Sequence, residues 1–138
     1  MDKQYIYSPT QAVWGTFLGG PLASVIFLRK NFQVLKNPVA EKKTVLLGTI
    51  LLLVIIGILP FLPDKFPNMV IPFATTVSTR MIIEKYQFTR QTIVDSDCLT
   101  FQSNWCVFFV SIACLVVFFI VAMAFMLSLE YFGITEMP

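Results

Sequence analysis

Three stretches of the chain contain no charged residue, and this feature limits the possible folds more than any other. The stretches cover residues 4–28, 44–63 and 98–129. A helix needs about 20 consecutive apolar residues to cross the roughly 30 Å hydrocarbon core of a bilayer. Because each stretch reaches that length, the sequence predicts an all-α integral membrane protein built as a helical bundle.

The composition excludes an ordinary water-soluble enzyme. Charged residues make up only 13% of the 138 residues, and hydrophobic residues make up 57%. A soluble domain carries about 25% charged residues, so this chain has too few charges to cover a surface that faces water. We expect one membrane domain over residues 1–138, with the lipid bilayer as its surroundings. The net charge of +2 is too small to favour nucleic acid as a partner.

The segment between the second and third uncharged stretches decides the number of spans. Residues 66–83 contain one charge, Arg80, and a helix of this length reaches about 27 Å. The segment either crosses the membrane with Arg80 extended to the interface, or lies flat on the surface as an amphipathic helix.

The distribution of basic residues favours the crossing alternative. The loop 29–43 holds five basic residues and one acid, which predicts that the loop is cytoplasmic. If 66–83 crosses, eight basic residues lie inside and two outside, whereas a surface helix gives five on each side. We therefore predict four transmembrane helices with both termini outside. The predicted spans are about 9–28, 44–62, 67–83 and 105–129, with the third helix extending to about 94. The alternative is three spans plus an interfacial helix, with the C-terminus inside.

Small residues recur along the first predicted span. Gly15, Gly19 and Ala23 are spaced four residues apart, and Gly20 lies beside them. Such spacing allows helices to approach closely, so these residues form a candidate helix-packing face, directed either at the rest of the chain or at a partner. Pro21 removes one helical hydrogen bond and predicts a kink.

The start of this helix carries a capping pattern. Ser8 is the predicted helix cap, and Pro9 suits the first helical position. Gln11 lies where a capping box requires Glu or Gln.

Five short motifs along the chain carry a resemblance to known proteins. They are SPTQ at 8–11, TFLGGPLA at 16–23, NF at 31–32, LPFLP at 59–63 and SNW at 103–105. With them the chain resembles a group of small multi-pass proteins of the bacterial inner membrane that have no assigned activity. The resemblance runs along most of the chain and implies a bacterial inner-membrane protein. It brings no substrate, cofactor or catalytic residue.

The third predicted span is the only one with a polar side. Thr76, Arg80 and Glu84 share one helical face and form a candidate polar intramembrane face. This face could line a hydrated path. With Lys85 and Arg90, Arg80 would also suit an anionic lipid near the cytoplasmic surface. The alternative is that Arg80 anchors the helix at the interface and the face packs against neighbouring helices.

Function is constrained mainly by what the sequence lacks. The chain contains no histidine, which excludes serine–histidine and metal–histidine chemistry, and it has no phosphate-binding G-x-x-x-x-G-K-[ST] loop. We therefore expect no catalysis, no metal and no cofactor. The first hypothesis is an accessory or assembly subunit that acts through helix–helix contacts with a protein partner. The second is an oligomeric small-solute or ion transporter or channel that uses the polar face. The third is an immunity-type protein against a membrane-active toxin.

Overall fold

The computed structural model describes residues 2–134, except for the side chain of Arg90. Most of this part is helical, and a 3₁₀ turn at Leu59–Phe61 directly follows the second helix. The helices are α1 (Pro9–Val34), α2 (Pro38–Ile58), α3 (Val70–Tyr86), α4 (Arg90–Val94) and α5 (Asn104–Tyr131). Two three-residue strands, β1 (Gln4–Ile6) and β2 (Leu99–Phe101), complete the described elements.

Three helices are long and apolar enough to cross a membrane, judged by length and composition. They are α1, α2 together with its 3₁₀ turn, and α5. This is consistent with a membrane protein built as a helical bundle. α3 is not one of the three, because it has 17 residues, which amount to about 25 Å of helix.

α1 reverses its direction at Gly20. This residue has φ 70° and ψ −162°, a conformation that is essentially restricted to glycine. Pro21 follows and begins a second helical arm, where its missing N–H would have no partner in any case. The ring centroids of Tyr7 and Phe27 are 4.6 Å apart, whereas one straight helix would separate the two residues by about 30 Å.

α1 is therefore a hairpin of two helical arms, 9–19 and 21–34. This corrects the prediction of a single kinked helix over 9–28. The arms are about 16 and 21 Å long. α1 therefore has the length of a span only when its residues are counted along the chain, and neither arm alone reaches across a core of about 30 Å. The predicted kink fell at the right dipeptide, but the positive φ of Gly20 turns it into a complete reversal.

The hairpin lies at the centre of the bundle. α2, α3 and α5 each pack against it, and in the described part of the chain they make few contacts with one another. Residues with no exposed surface are concentrated in α1, where they include Ala12, Thr16, Phe27 and Asn31. A hairpin, and not a single spanning helix, therefore lies at the centre of the bundle.

The strands add a feature absent from the all-α prediction. β1 pairs in parallel with β2, and Tyr5 lies opposite Thr100. Each strand has only three residues. This is too short for an alternation of polar and apolar residues to be recognised in the sequence. The pairing fixes the N-terminal segment beside the start of α5.

The third helix also differs from its predicted bounds. α3 begins at Val70 rather than 67 and ends at Tyr86, and Gln87 leaves the helical conformation with φ −121° and ψ −99°. A separate short helix, α4, begins after Thr89, whose side chain accepts a hydrogen bond from the Thr92 N–H. The expected continuous helix to about 94 is therefore wrong, because this cap starts a new helix.

Candidate functional site

Asn31 joins three parts of the chain at one end of the bundle. Its side chain is fully buried. Oδ1 accepts a hydrogen bond from Tyr7 N at 2.9 Å, and Nδ2 donates to Tyr7 O at 2.8 Å and to Gln87 Oε1 at 3.0 Å. Gln87 Nε2 in turn donates to the Leu28 carbonyl at 3.0 Å. The start of the first arm, the end of the second arm and the end of α3 therefore lie at the same level, which we name the Asn31 end.

The predicted cap residues also lie at this end. Ser8 Oγ accepts from Gln11 N, and Gln11 Oε1 accepts from Ser8 N, both at 3.1 Å, which forms a capping box. Gln11 Nε2 also donates to Gln102 O at 2.5 Å and to Asn104 Oδ1 at 2.8 Å. The cap therefore brings the start of α5 to the Asn31 end as well.

The candidate packing face lies inside the chain. A Cβ added to Gly19 would lie 2.8 Å from the Ser111 carbonyl oxygen of α5, and one added to Gly15 would overlap the Phe27 ring and lie 3.0 Å from Ser111 Oγ. Ala23 is fully buried. Gly20 differs from them, because it forms the turn and an added Cβ would meet nothing within 4 Å.

The candidate polar face lies on the outside of α3. Arg80 Nε donates to Glu84 Oε1 at 2.9 Å, and the two side chains are 63% and 45% exposed. Thr76 Oγ1 donates to the carbonyl of Pro72 at 2.7 Å. The buried residues of α3 are Thr75, Thr79 and Ile83, so the hairpin contacts a different side of the helix.

Two further residues were expected to act with Arg80 on an anionic lipid. The Lys85 ammonium lies 5.4 Å from the centroid of the Tyr86 ring, a cation–π distance. The side chain of Arg90 lies outside the described residues.

A cleft of about 680 Å³ opens between α2 and α3, with the second arm of the hairpin as its floor. No pattern in the sequence predicts this cleft. The floor includes Pro21, Ser24 and Leu28; the walls include Leu47 and Leu51 of α2 and Ala74, Ser78, Thr79 and Ile82 of α3. Thr76, Arg80 and Glu84 do not line this cleft.

Three of the hydroxyl groups that line the cleft, those of Ser24, Ser78 and Thr79, are hydrogen-bonded within the protein. Thr79 Oγ1 donates to the Thr75 carbonyl at 2.7 Å, which uses its single proton. Ser24 Oγ lies 2.5 Å from Thr79 Oγ1 and is therefore the donor of that hydrogen bond. Ser78 Oγ donates to the Ala74 carbonyl at 2.8 Å. The interior of the cleft consequently presents these hydroxyls with their protons already engaged.

The end of the cleft nearest Asn31 has a different character. Asn37, Lys43 and Tyr86 line it there. Lys43 is exposed and forms no ion pair within residues 2–134 as described. The cleft therefore runs from an apolar interior to a cationic mouth.

Glu41, the acidic residue nearest to Lys43 in sequence, already forms hydrogen bonds with other residues. Glu41 Oε1 accepts from Arg29 Nε at 3.0 Å and from Gln33 Nε2 at 2.8 Å. Glu41 precedes the uncharged stretch 44–63, and the hydrogen bonds from Arg29 and then Gln33 hold the pKa of its carboxyl below the ordinary value. The carboxylate therefore links α1 to α2 and leaves the charge of Lys43 unbalanced.

Lys43 belongs to the loop 29–43 that the sequence predicts to be cytoplasmic, and nothing in the sequence connects it with Thr79. Their common cleft depends on how α2 and α3 pack on the hairpin, and no single-helix pattern encodes that. In the described part of the chain, no group of three or more His, Cys, Asp or Glu side chains is placed to hold a metal ion. No protein-family model, curated protein or solved structure matches the chain.

Proposed function

We propose that this protein is a non-catalytic accessory subunit of a complex in the bacterial inner membrane, where it acts through helix–helix contacts. The observation that carries the proposal is the polar face of α3, on which Arg80 and Glu84 are exposed and Thr76 is half-buried. Ionisable residues at membrane depth usually face a protein interior or a hydrated cavity. Here Arg80 and Glu84 face away from the core of the chain. We therefore expect a second molecule to pack against them.

The proposed membrane arrangement follows from the hairpin. α2, α3 and α5 cross the bilayer, whereas α1 enters from the cytoplasmic side and returns to it as a re-entrant hairpin. Buried non-helical backbone at membrane depth is tolerated when protein surrounds it, and α2, α3 and α5 surround the arms of α1. This arrangement replaces the four crossings expected from the sequence, with the N-terminus now inside and the C-terminus outside.

Charge supports this arrangement better than it supports four crossings. With the Asn31 end in the cytoplasm, Lys3 joins the loop 29–43 and the basic residues at the end of α3. Nine of the ten basic residues then lie inside, and Lys65 alone lies outside. The positive-inside rule favours this distribution over eight and two. α3 is short for a crossing helix, and local thinning of the bilayer accommodates such a mismatch at modest cost.

Arg80 supplies the chemical reason for a partner. It lies six residues before the end of α3 at Tyr86, about 9 Å along the helix. A guanidinium has five N–H donors, and within the described residues only Nε of Arg80 has a protein acceptor. In a bilayer the unused donors favour an acceptor from a second molecule. We propose that a partner helix with a carboxylate or amide provides it.

The test is purification of the natively expressed, tagged protein in a mild detergent, followed by mass determination of the intact complex. We expect a stoichiometric protein partner with the wild type and with Lys85→Gln, and loss of that partner with Arg80→Gln. The Lys85 variant is the matched control, because it removes a neighbouring charge outside the polar face. Equal recovery of a partner with both variants would overturn the role of Arg80, and a wild-type protein without any partner would overturn the subunit proposal.

A second candidate function is transport by a homo-oligomer, favoured by a separate observation. The helix break at Gly20 and Pro21 lies beside the cleft, and Pro21 and Ser24 line it. Many transporters bind their substrate where a helix is interrupted near the middle of the membrane. A homo-oligomer without another protein in the mass measurement would favour this function, and solute flux into vesicles would then test it.

A further inference from the structure

We propose that the cleft between α2 and α3 binds one anionic glycerophospholipid, with an acyl chain in the cleft and the phosphate at Lys43. This inference rests on the proposed membrane placement of the helices. It does not depend on the identity of any protein partner, because the cleft and the polar face are separate surfaces of α3.

The interior of the cleft favours an apolar occupant. Its floor and walls are mainly aliphatic, and the protons of Ser24, Ser78 and Thr79 are engaged in hydrogen bonds within the protein. A polar ligand placed there would lose hydrogen bonds to water without full replacement. An alkyl chain has no such requirement.

The length of the cleft suits an acyl chain. The cleft runs along α2 from Asn37 to Leu51, a distance of about 21 Å. The part that lies beyond Lys43, from that residue to Leu51, is about 12 Å long. One leaflet is half of a core of about 30 Å, so a chain whose phosphate lies at Lys43 would follow the cleft through most of the depth of its leaflet.

The mouth of the cleft favours an anionic head group. Lys43, Asn37 and Tyr86 supply a cation and polar groups, and no acidic residue lines the cleft. The acid nearest in sequence, Glu41, is bonded to Arg29. In the proposed arrangement this mouth lies at the cytoplasmic surface, where phospholipid head groups are found. A lipid phosphate can therefore reach Lys43 while its chain occupies the cleft.

The test is mass spectrometry of the intact protein exchanged into mixed micelles that contain equal amounts of phosphatidylglycerol and phosphatidylethanolamine. We expect one retained lipid per chain and about a fivefold preference for phosphatidylglycerol, the size expected for one lysine at an anionic surface. Lys43→Gln should remove the preference and Lys42→Gln should keep it, since Lys42 does not line the cleft. Equal retention of the two lipids by the wild type would overturn the assignment of the head group.

Filling the cleft tests the position of the chain. Ser78→Phe should reduce retained lipid at least about fivefold, whereas Val77→Phe, on the adjacent exposed side, should leave it unchanged. Ala74→Leu provides a second cleft variant if Ser78→Phe does not fold. Equal retention in the cleft variants and in Val77→Phe would place any lipid elsewhere and overturn the proposal, as would a protein helix that crosslinks to Ser78→Cys within the cleft.

A separate measurement tests whether the protein is embedded in the membrane, on which this inference depends. Alkaline carbonate should leave the protein in the membrane fraction if the proposed placement is right. Release by carbonate would overturn the placement and this inference with it. Retention in the membrane together with no bound lipid would overturn this inference alone.

Discussion

The side chain of Asn31 makes two hydrogen bonds to the backbone of Tyr7, at 2.9 and 2.8 Å, although 24 residues separate them in sequence. The amide thereby replaces the strand or helix partner that the N–H and C=O of Tyr7 would otherwise need. Its third hydrogen bond, to Gln87, attaches α3 to the same point. One buried side chain therefore holds the hairpin closed and positions a helix beside it.

Replacement of Asn31 by Ala should destabilise the protein by about 2–4 kcal/mol, because buried backbone and amide groups lose their partners together. Asn68→Ala is the matched control, since Asn68 is exposed, and it should change stability by less than about 0.5 kcal/mol. Thermal unfolding in detergent measures the difference. Similar midpoints for the two variants would show that the Asn31 hydrogen bonds do not hold the hairpin.

A second prediction concerns the turn of the hairpin. Gly20→Ala places a Cβ on a backbone with φ 70° and should cost about 1–3 kcal/mol. Gly57→Ala adds the same group in the last turn of α2, where nothing lies within 4 Å, and should stabilise that helix by less than about 1 kcal/mol. Opposite signs for the two variants are expected in unfolding measurements. A neutral or stabilising Gly20→Ala would argue that the chain does not reverse at this residue.

The contact between the hairpin and α5 makes a third prediction. Gly19→Ala should destabilise by about 1–3 kcal/mol, because the added Cβ meets the backbone of Ser111 and the Cβ of Ala23, and neither can rotate away. Gly15→Ala meets the Phe27 ring instead, so adding Phe27→Leu should recover part of its loss. The same second substitution should not rescue Gly19→Ala. Rescue of both, measured as double-mutant stabilities, would contradict the packing of Gly19 on α5.

A fourth prediction concerns pH. The pKa of Glu41 is lowered in the folded protein, mainly by the hydrogen bond from Arg29, so its stabilising contribution is present above the pKa of the unfolded chain. The contribution disappears as the pH falls through the folded-state pKa. The wild type should therefore unfold at a higher temperature than Glu41→Gln at about pH 7, and this difference should shrink progressively as the pH falls below the ordinary pKa of a glutamate, about 4.3. A difference that does not shrink as the pH falls would exclude an ionic origin.

The positions of the helices could be predicted from the sequence better than their arrangement in space. The uncharged stretches 44–63 and 98–129 lead directly to α2 and α5, because an apolar run of that length has few alternatives to a helix. The pair Gly20-Pro21 fits both a kink and a reversal. The choice between them is made by contacts of Tyr7 with Phe27 and Asn31, which are too distant in sequence for a local pattern to reveal.

The helix cap and the cleft also differ in how far the sequence allows them to be predicted. The capping box of Ser8 and Gln11 could be predicted because both members lie within four residues and follow a known local geometry. The cleft could not, because Lys43, Ser24 and Thr79 come from three helices. Its shape depends on the hairpin: if α1 were a single spanning helix, these residues would lie at different depths.

The central claim is that α1 enters and leaves the membrane on one side, and cysteine accessibility tests it most directly. Single cysteines at Lys3, Lys42 and Lys65, in a background with the three natural cysteines replaced by alanine, are exposed to a membrane-impermeant maleimide in intact cells. The proposed arrangement predicts labelling of Lys65→Cys alone, with Lys3→Cys and Lys42→Cys labelled only after the membrane is opened. Labelling of Lys3→Cys in intact cells, with Lys42→Cys still protected, would show that α1 crosses the membrane and would contradict the re-entrant hairpin.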